Sequence, residues 1–209
     1  MNEKVKNKIE NVYEVFANYR RPERIEGCPC CLTDSESKTL HEKKLRELTA
    51  EDLKEYTASV FLTVGGLADF KYYLPRILEL SLEEELIYPY LGVVFERLKQ
   101  ADWQQWPEEE RKVVEALAWE FFAGLIDVPA PKGGDIDEWV RAIGWAVADV
   151  NPLLDELLKP GREKALAEFV EWNIEVYTAK KPGQGSQLVD WLFQPEVSKI
   201  VKDKYGMVF

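Results

Sequence analysis

Residues 27–32 read GCPCCL, and ten positions after the last cysteine stands the only histidine, His41, in TLHEKK. All three cysteines of this 209-residue chain, Cys28, Cys30 and Cys31, fall within four positions. Thiolate and imidazole are the ligands zinc prefers, four of them in a tetrahedron. Cys28 and Cys31 have the two-residue separation of a zinc knuckle, which turns both sulfurs toward one ion while the intervening amides donate to them. Gly27 and Pro29 suit so tight a backbone. His41 is placed to supply a third ligand, and Cys30, Asp34 or Glu36 a fourth. Adjacency of Cys30 and Cys31 works against this set, because neighbouring side chains seldom reach the same ion. The cluster Cys28, Cys30, Cys31 and His41 is nevertheless the best metal-ligating set in the sequence, with structural zinc as its cofactor.

Other chemistries use the same residues. Cys28 and Cys31 have the spacing of a redox pair, although such pairs normally sit at a strand-to-helix turn and the pattern here contains no strand. A cysteine nucleophile with His41 as its base lacks an orienting third residue at any readable spacing. As inert residues, the cysteines would be small buried hydrophobes and His41 a surface residue on a charged helix. A single histidine excludes the di-metal helical bundle built on paired Glu-x-x-His motifs. Neither a phosphate loop, a dinucleotide fingerprint nor a serine elbow is present, and PGQGS, with no strand before it, reads as a linker.

The elements that position the cluster read as helices throughout. Val5, Ile9, Val12, Val15 and Phe16 recur at three- and four-residue spacings, an amphipathic helix. RRPERIEGCPCC follows as irregular backbone, and Leu40, Leu45 and Leu48 mark a short helix beyond it. Thr49 with Asp52 is a capping pattern that opens the next helix, broken at Gly65-Gly66. LADFKYYLPRILEL resumes it, with Pro75 opening a new turn or kinking the helix. Asp69 and Arg76 share one face of that helix, either as an ion pair in a core helix or with Arg76 anchoring a partner-binding patch. Ser81 with Glu84 reads as a second capping box. Pro107 and Glu108–Glu110 begin the strongest helix, where negative charge suits the helix dipole. DVPAPKGGD is a linker, with further helical segments on its far side. Trp103, Trp106 and Trp191 lie beside polar residues near helix ends, which suits half-buried packing and interaction surfaces alike.

The fold class is therefore all-α: an irregular array or bundle of about ten helices, with a solenoid of helix pairs as the alternative and no repeat signature to support one. A single domain over 1–209 is expected, with a cysteine-rich element at about 20–48 and a candidate lobe boundary at 128–135. A chain this long buries roughly 70% of its unfolded surface, so an ion at the cysteines pins a local region rather than the whole fold.

Net charge is −11 and unevenly spread. Residues 1–48 carry 10 Lys+Arg against 9 Asp+Glu, a net of +1, and the remainder carries 17 against 29, a net of −12. An acidic body repels phosphate backbones and favours a basic protein as partner over nucleic acid. No apolar run reaches the ~18 residues of a membrane span, and the charged N-terminus is unlike a signal peptide. The expected location is the cytoplasm, where thiols stay reduced and metal or redox chemistry outranks structural disulfides.

GCPCC followed by LREL, DLKEY and TVGGLADFKYYLPRILEL resembles a group of bacterial proteins that share this cysteine cluster, over residues 18–80. The resemblance brings no reaction. It implies a bacterial cytoplasmic origin and cysteines that are a feature of the type. The functional expectation is a non-enzymatic, cytoplasmic protein-interaction module with a small structural zinc site. The alternative is a cysteine-based redox sensor or thiol enzyme using Cys28 and Cys31.

Overall fold

The computed structural model of the chain describes residues 2–83, 90–175 and 187–205. Among them every regular element is helical: α1 (Glu3–Phe16), α2 (Asp34–Glu42), α3 (Ala50–Ser59), α4 (Leu67–Leu82), α5 (Leu91–Gln100), α6 (Glu108–Ile126), α7 (Gly133–Ala146), α8 (Asn151–Asp155), α9 (Glu163–Trp172), α10 (Gln187–Leu192) and α11 (Pro195–Tyr205). Extended pairing among the described residues is limited to two isolated bridges, Gly27 with Val64 and Val60 with Val64. The all-α expectation is met. No described helix is long and apolar enough to cross a membrane.

Two compact units divide the chain, Met1–Phe121 and Phe122–Phe209, with the division falling inside α6. In the first unit, α1 forms because Asn2 caps it, accepting the Val5 N–H at 2.9 Å. Its apolar stripe then buries Val5, Ile9, Val12 and Phe16. That stripe packs on α4, the central helix of the unit, which also receives α3 and α5. Phe70, Tyr73, Leu74, Ile77 and Leu80 of α4 are fully enclosed. Pro75 sits within α4 without ending it. Thr49 and Asp52 form the capping box that opens α3, as their spacing predicts.

Two sequence expectations in this unit fail for local reasons. Asp69 and Arg76 do not pair, because each has a nearer partner: Asp69 accepts the Gly66 N–H at 2.7 Å, while Arg76 donates to the Leu48 carbonyl at 2.7 Å and to Glu79 at 2.6 Å. Ser81 is no helix cap. It lies inside α4 and donates back to the Ile77 carbonyl at 2.7 Å, and Glu84 is outside the described residues.

A buried ion pair binds the unit together. Lys71 of α4 meets Glu110 of α6 at 2.6 Å, with side chains only 6% and 9% exposed. Tyr19 donates to the other Glu110 oxygen at 2.6 Å and accepts from Lys71 at 3.0 Å. The Lys71 ammonium also lies 4.3 Å from the Trp106 ring centre, a cation–π contact. The charges of Lys71 and Glu110 are therefore matched by each other.

In the second unit α7 packs closely on α9. Gly133 permits the approach, since a Cβ there would fall 2.1 Å from the Glu168 carbonyl oxygen. Trp139, Phe169 and Trp191 fill this core, and Trp191 donates to Asp155 at 3.0 Å. Trp103, Trp106 and Trp191, all near helix ends, are buried rather than half-buried. The DVPAPK stretch is non-helical up to the start of α7 at Gly133, whereas PGQGS lies outside the described residues.

Candidate metal centre

The cysteines occupy a strap between α1 and α2, held at both ends by buried apolar side chains, Ile25 and Leu32. Gly27 lies at φ +146°, in the left-handed half of backbone space, and forms an antiparallel bridge with Val64. A Cβ on Gly27 would meet the Thr63 carbonyl oxygen at 2.4 Å and the Val64 Cα at 2.5 Å, so only glycine lets the strap seat here. Two hydrogen bonds fix it: Cys28 N–H to the Thr63 carbonyl at 2.8 Å, and Gly65 N–H to the Glu26 carbonyl at 2.7 Å. The platform beneath is the Val60–Gly65 turn after α3, in which Phe61 adopts φ +65° and stacks edge-on against Phe70. Arg97 of α5 secures the end of α3 by donating to the Thr57 and Ala58 carbonyls.

On that platform the chain makes one tight turn. Cys31 and Leu32 N–H groups both donate to the Cys28 carbonyl, at 3.0 and 3.2 Å. Thr33 then caps α2, exchanging hydrogen bonds with Glu36. The turn brings all three sulfurs together: the Sγ atoms of Cys28, Cys30 and Cys31 lie within 4.8 Å of one another. Cys28 and Cys30 are 2.7 Å apart and Cys30 and Cys31 3.9 Å. All three are free thiols, Cys30 exposed and the other two half-buried. The adjacency of Cys30 and Cys31 therefore does not keep their sulfurs apart.

The thiols are electrostatically unequal. Hydrogen bonds from Cys30 hold the Cys28 thiol below its ordinary pKa, so Cys28 ionises before Cys30. The reciprocal bond, in which Cys30 gives its proton to Cys28, pushes Cys30 up to about 11.

His41 does not join the sulfur group. It lies in the last turn of α2, where its Nδ1 donates to the Ser37 carbonyl at 2.5 Å. That leaves the lone pair on Nε2, which is buried and has no hydrogen-bond partner among the described residues. Its imidazole acts electrostatically on Asp69 of α4, whose carboxyl is raised above its ordinary pKa mainly by burial. The hydroxyl of Tyr56, a residue with no exposed surface, is likewise buried without a partner, and Asp69 acts on it too. Glu36 is committed to capping α2. Sequence pattern gave no warning of the Tyr56, His41 and Asp69 neighbourhood, because it draws on three helices. Gly27 was legible only as irregular backbone.

Three thiols on one turn fit a thiophilic ion. For a Zn–S bond of about 2.3 Å a tetrahedron has an edge of about 3.8 Å; the Cys30–Cys31 spacing of 3.9 Å meets it, and the Cys28–Cys30 spacing of 2.7 Å must widen by about 1 Å to hold the ion. No family model, curated protein or solved structure matches this chain.

Proposed function

We propose that this chain is a metal-binding helical protein in which Cys28, Cys30 and Cys31 hold a structural zinc ion that stiffens the strap over the Val60–Gly65 turn. Convergence of three free sulfurs within 4.8 Å is the observation that carries the reading. Soft thiolates select zinc and copper over harder cations. A solvent molecule completes the zinc shell, since His41 stands outside the sulfur group. Around this element the acidic body is a non-enzymatic interaction module for a basic protein, working in the cytoplasm, where the thiols remain reduced. An open groove of about 530 Å³ between α1 and α6, lined by Glu14, Glu108 and Glu109 around Lys112, supports that partner chemistry.

The test is metal analysis of protein purified in reducing buffer without chelator. One zinc per chain with all three thiols protected from alkylation is expected, and Cys28→Ser should lose both the ion and the protection. A metal-free chain that cannot be loaded with zinc, and whose thiols react freely, refutes the reading.

A redox reading has one observation in its favour, the 2.7 Å approach of Cys28 to Cys30 rather than to Cys31. A hydroperoxide would oxidise this pair to a disulfide, with the two thiol hydrogens leaving in the alcohol and water formed. Mass loss of two hydrogens at low peroxide, abolished by Cys30→Ser and retained by Cys31→Ser, would favour it over zinc.

A further inference from the structure

The geometry points to a more particular ligand for the same sulfurs: Cys28, Cys30 and Cys31 form a three-coordinate site for a trivalent thiophilic ion of the arsenite class, which displaces zinc. This inference rests on the metal-binding reading above. Zinc in a structural site requires four ligands, whereas the protein offers three. No carboxylate or imidazole among the described residues belongs to the sulfur group. Of the nearby donors, Glu36 is spent on the α2 cap and the His41 Nε2 is enclosed by protein away from the cluster.

The three sulfurs also share one origin. They come from a single turn closed by the Cys31 and Leu32 N–H bonds to the Cys28 carbonyl, so they form one compact group in which Cys30 is exposed and Cys28 and Cys31 are half-buried. A trivalent arsenic centre bonds three sulfurs pyramidally and keeps its lone pair on the remaining side, so it needs no fourth donor, and none among the described residues joins this group. Charge favours it as well. Three thiolates around a divalent ion leave an excess negative charge on a protein already at −11, while a trivalent centre leaves none.

The reaction balances without an oxidant. Arsenous acid condenses with three thiols: three As–O bonds and three S–H bonds break, three As–S bonds form, and three waters leave. Arsenic stays trivalent and no sulfur is oxidised. Starting from zinc-held thiolates, the same condensation takes up three protons from water and releases the zinc ion, and the exposure of Cys30 gives the reagent its point of entry.

The experiment adds inorganic arsenite to the zinc-loaded full chain in a phosphine-reduced buffer without competing thiols. Native mass spectrometry should show gain of one arsenic less three hydrogens together with loss of zinc, and X-ray absorption should find three sulfur neighbours. Each of Cys28→Ser, Cys30→Ser and Cys31→Ser should weaken arsenite binding by roughly tenfold or more, since each removes one arm of a chelate. A chain that binds zinc and keeps it against excess arsenite overturns this inference and leaves the zinc reading standing. An adduct held by two sulfurs that retains an As–OH group also overturns it. Failure to bind either ion overturns both readings.

Discussion

Replacing Gly27 with alanine tests whether the strap is seated as described. The residue lies at φ +146°, where a side chain is strained, and such a conformation costs about 1–3 kcal/mol. The new Cβ would also stand 2.4 Å from the Thr63 carbonyl oxygen, which is backbone and cannot swing aside. Relief requires the strap to lift, breaking the bonds from Cys28 to Thr63 and from Gly65 to Glu26, at about 1 kcal/mol each. Gly27→Ala should therefore destabilise the first unit by about 3 kcal/mol. For a protein of this size that lowers the thermal midpoint by about 6–12 °C. The assay is urea and thermal unfolding followed by circular dichroism, with Gly66→Ala as control. A Cβ on Gly66 meets nothing within 4 Å, so the control should lose less than about 1 kcal/mol. Indistinguishable melting of Gly27→Ala and wild type would refute the described seating of the strap.

Two further outcomes follow from the buried charges. Lys71→Met should cost about 3–5 kcal/mol because Glu110 is left buried without its cation, and the double variant Lys71→Met with Glu110→Leu should recover most of the loss in a denaturant cycle; equal damage in single and double variants would contradict this. Asp69, raised above its ordinary pKa mainly by burial, binds a proton in the folded protein at a pH where the unfolded chain has released it. Its contribution to stability is thus full at low pH and is lost as pH climbs from the ordinary carboxyl value through the raised one. Asp69→Asn, which keeps an oxygen to accept the Gly66 N–H, should flatten that part of the stability–pH curve, and an unchanged slope would show that another group titrates there.

Features governed by local pattern were legible in the sequence. Period and capping revealed α1 with its buried Val5, Ile9, Val12 and Phe16, the Thr49–Asp52 start of α3 and the Pro107–Glu110 start of α6. The proximity of Cys28, Cys30 and Cys31 was legible because one turn suffices to create it. What depended on a choice among distant partners was not. Arg76 had Asp69 on its own face yet bonds the Leu48 carbonyl and Glu79. Lys71 had no partner in view from local pattern, yet is buried against Glu110, 39 residues along the chain. The surroundings of His41 belong to the same class, since they are built from α2, α3 and α4 together. Ser81 failed because a serine in the last turn of a helix can bond back to its own helix as readily as cap the next.

Because every sulfur comes from residues 28–31, an ion held there would close a ring only four residues around. Joining such near neighbours removes little freedom from the unfolded chain, unlike a clasp between remote segments. Departure of the ion should accordingly leave α1, α4 and the rest of the first unit standing. Exchange then proceeds on the native protein, at the pace of ligand substitution rather than of unfolding, and the same molecule can be emptied and refilled many times.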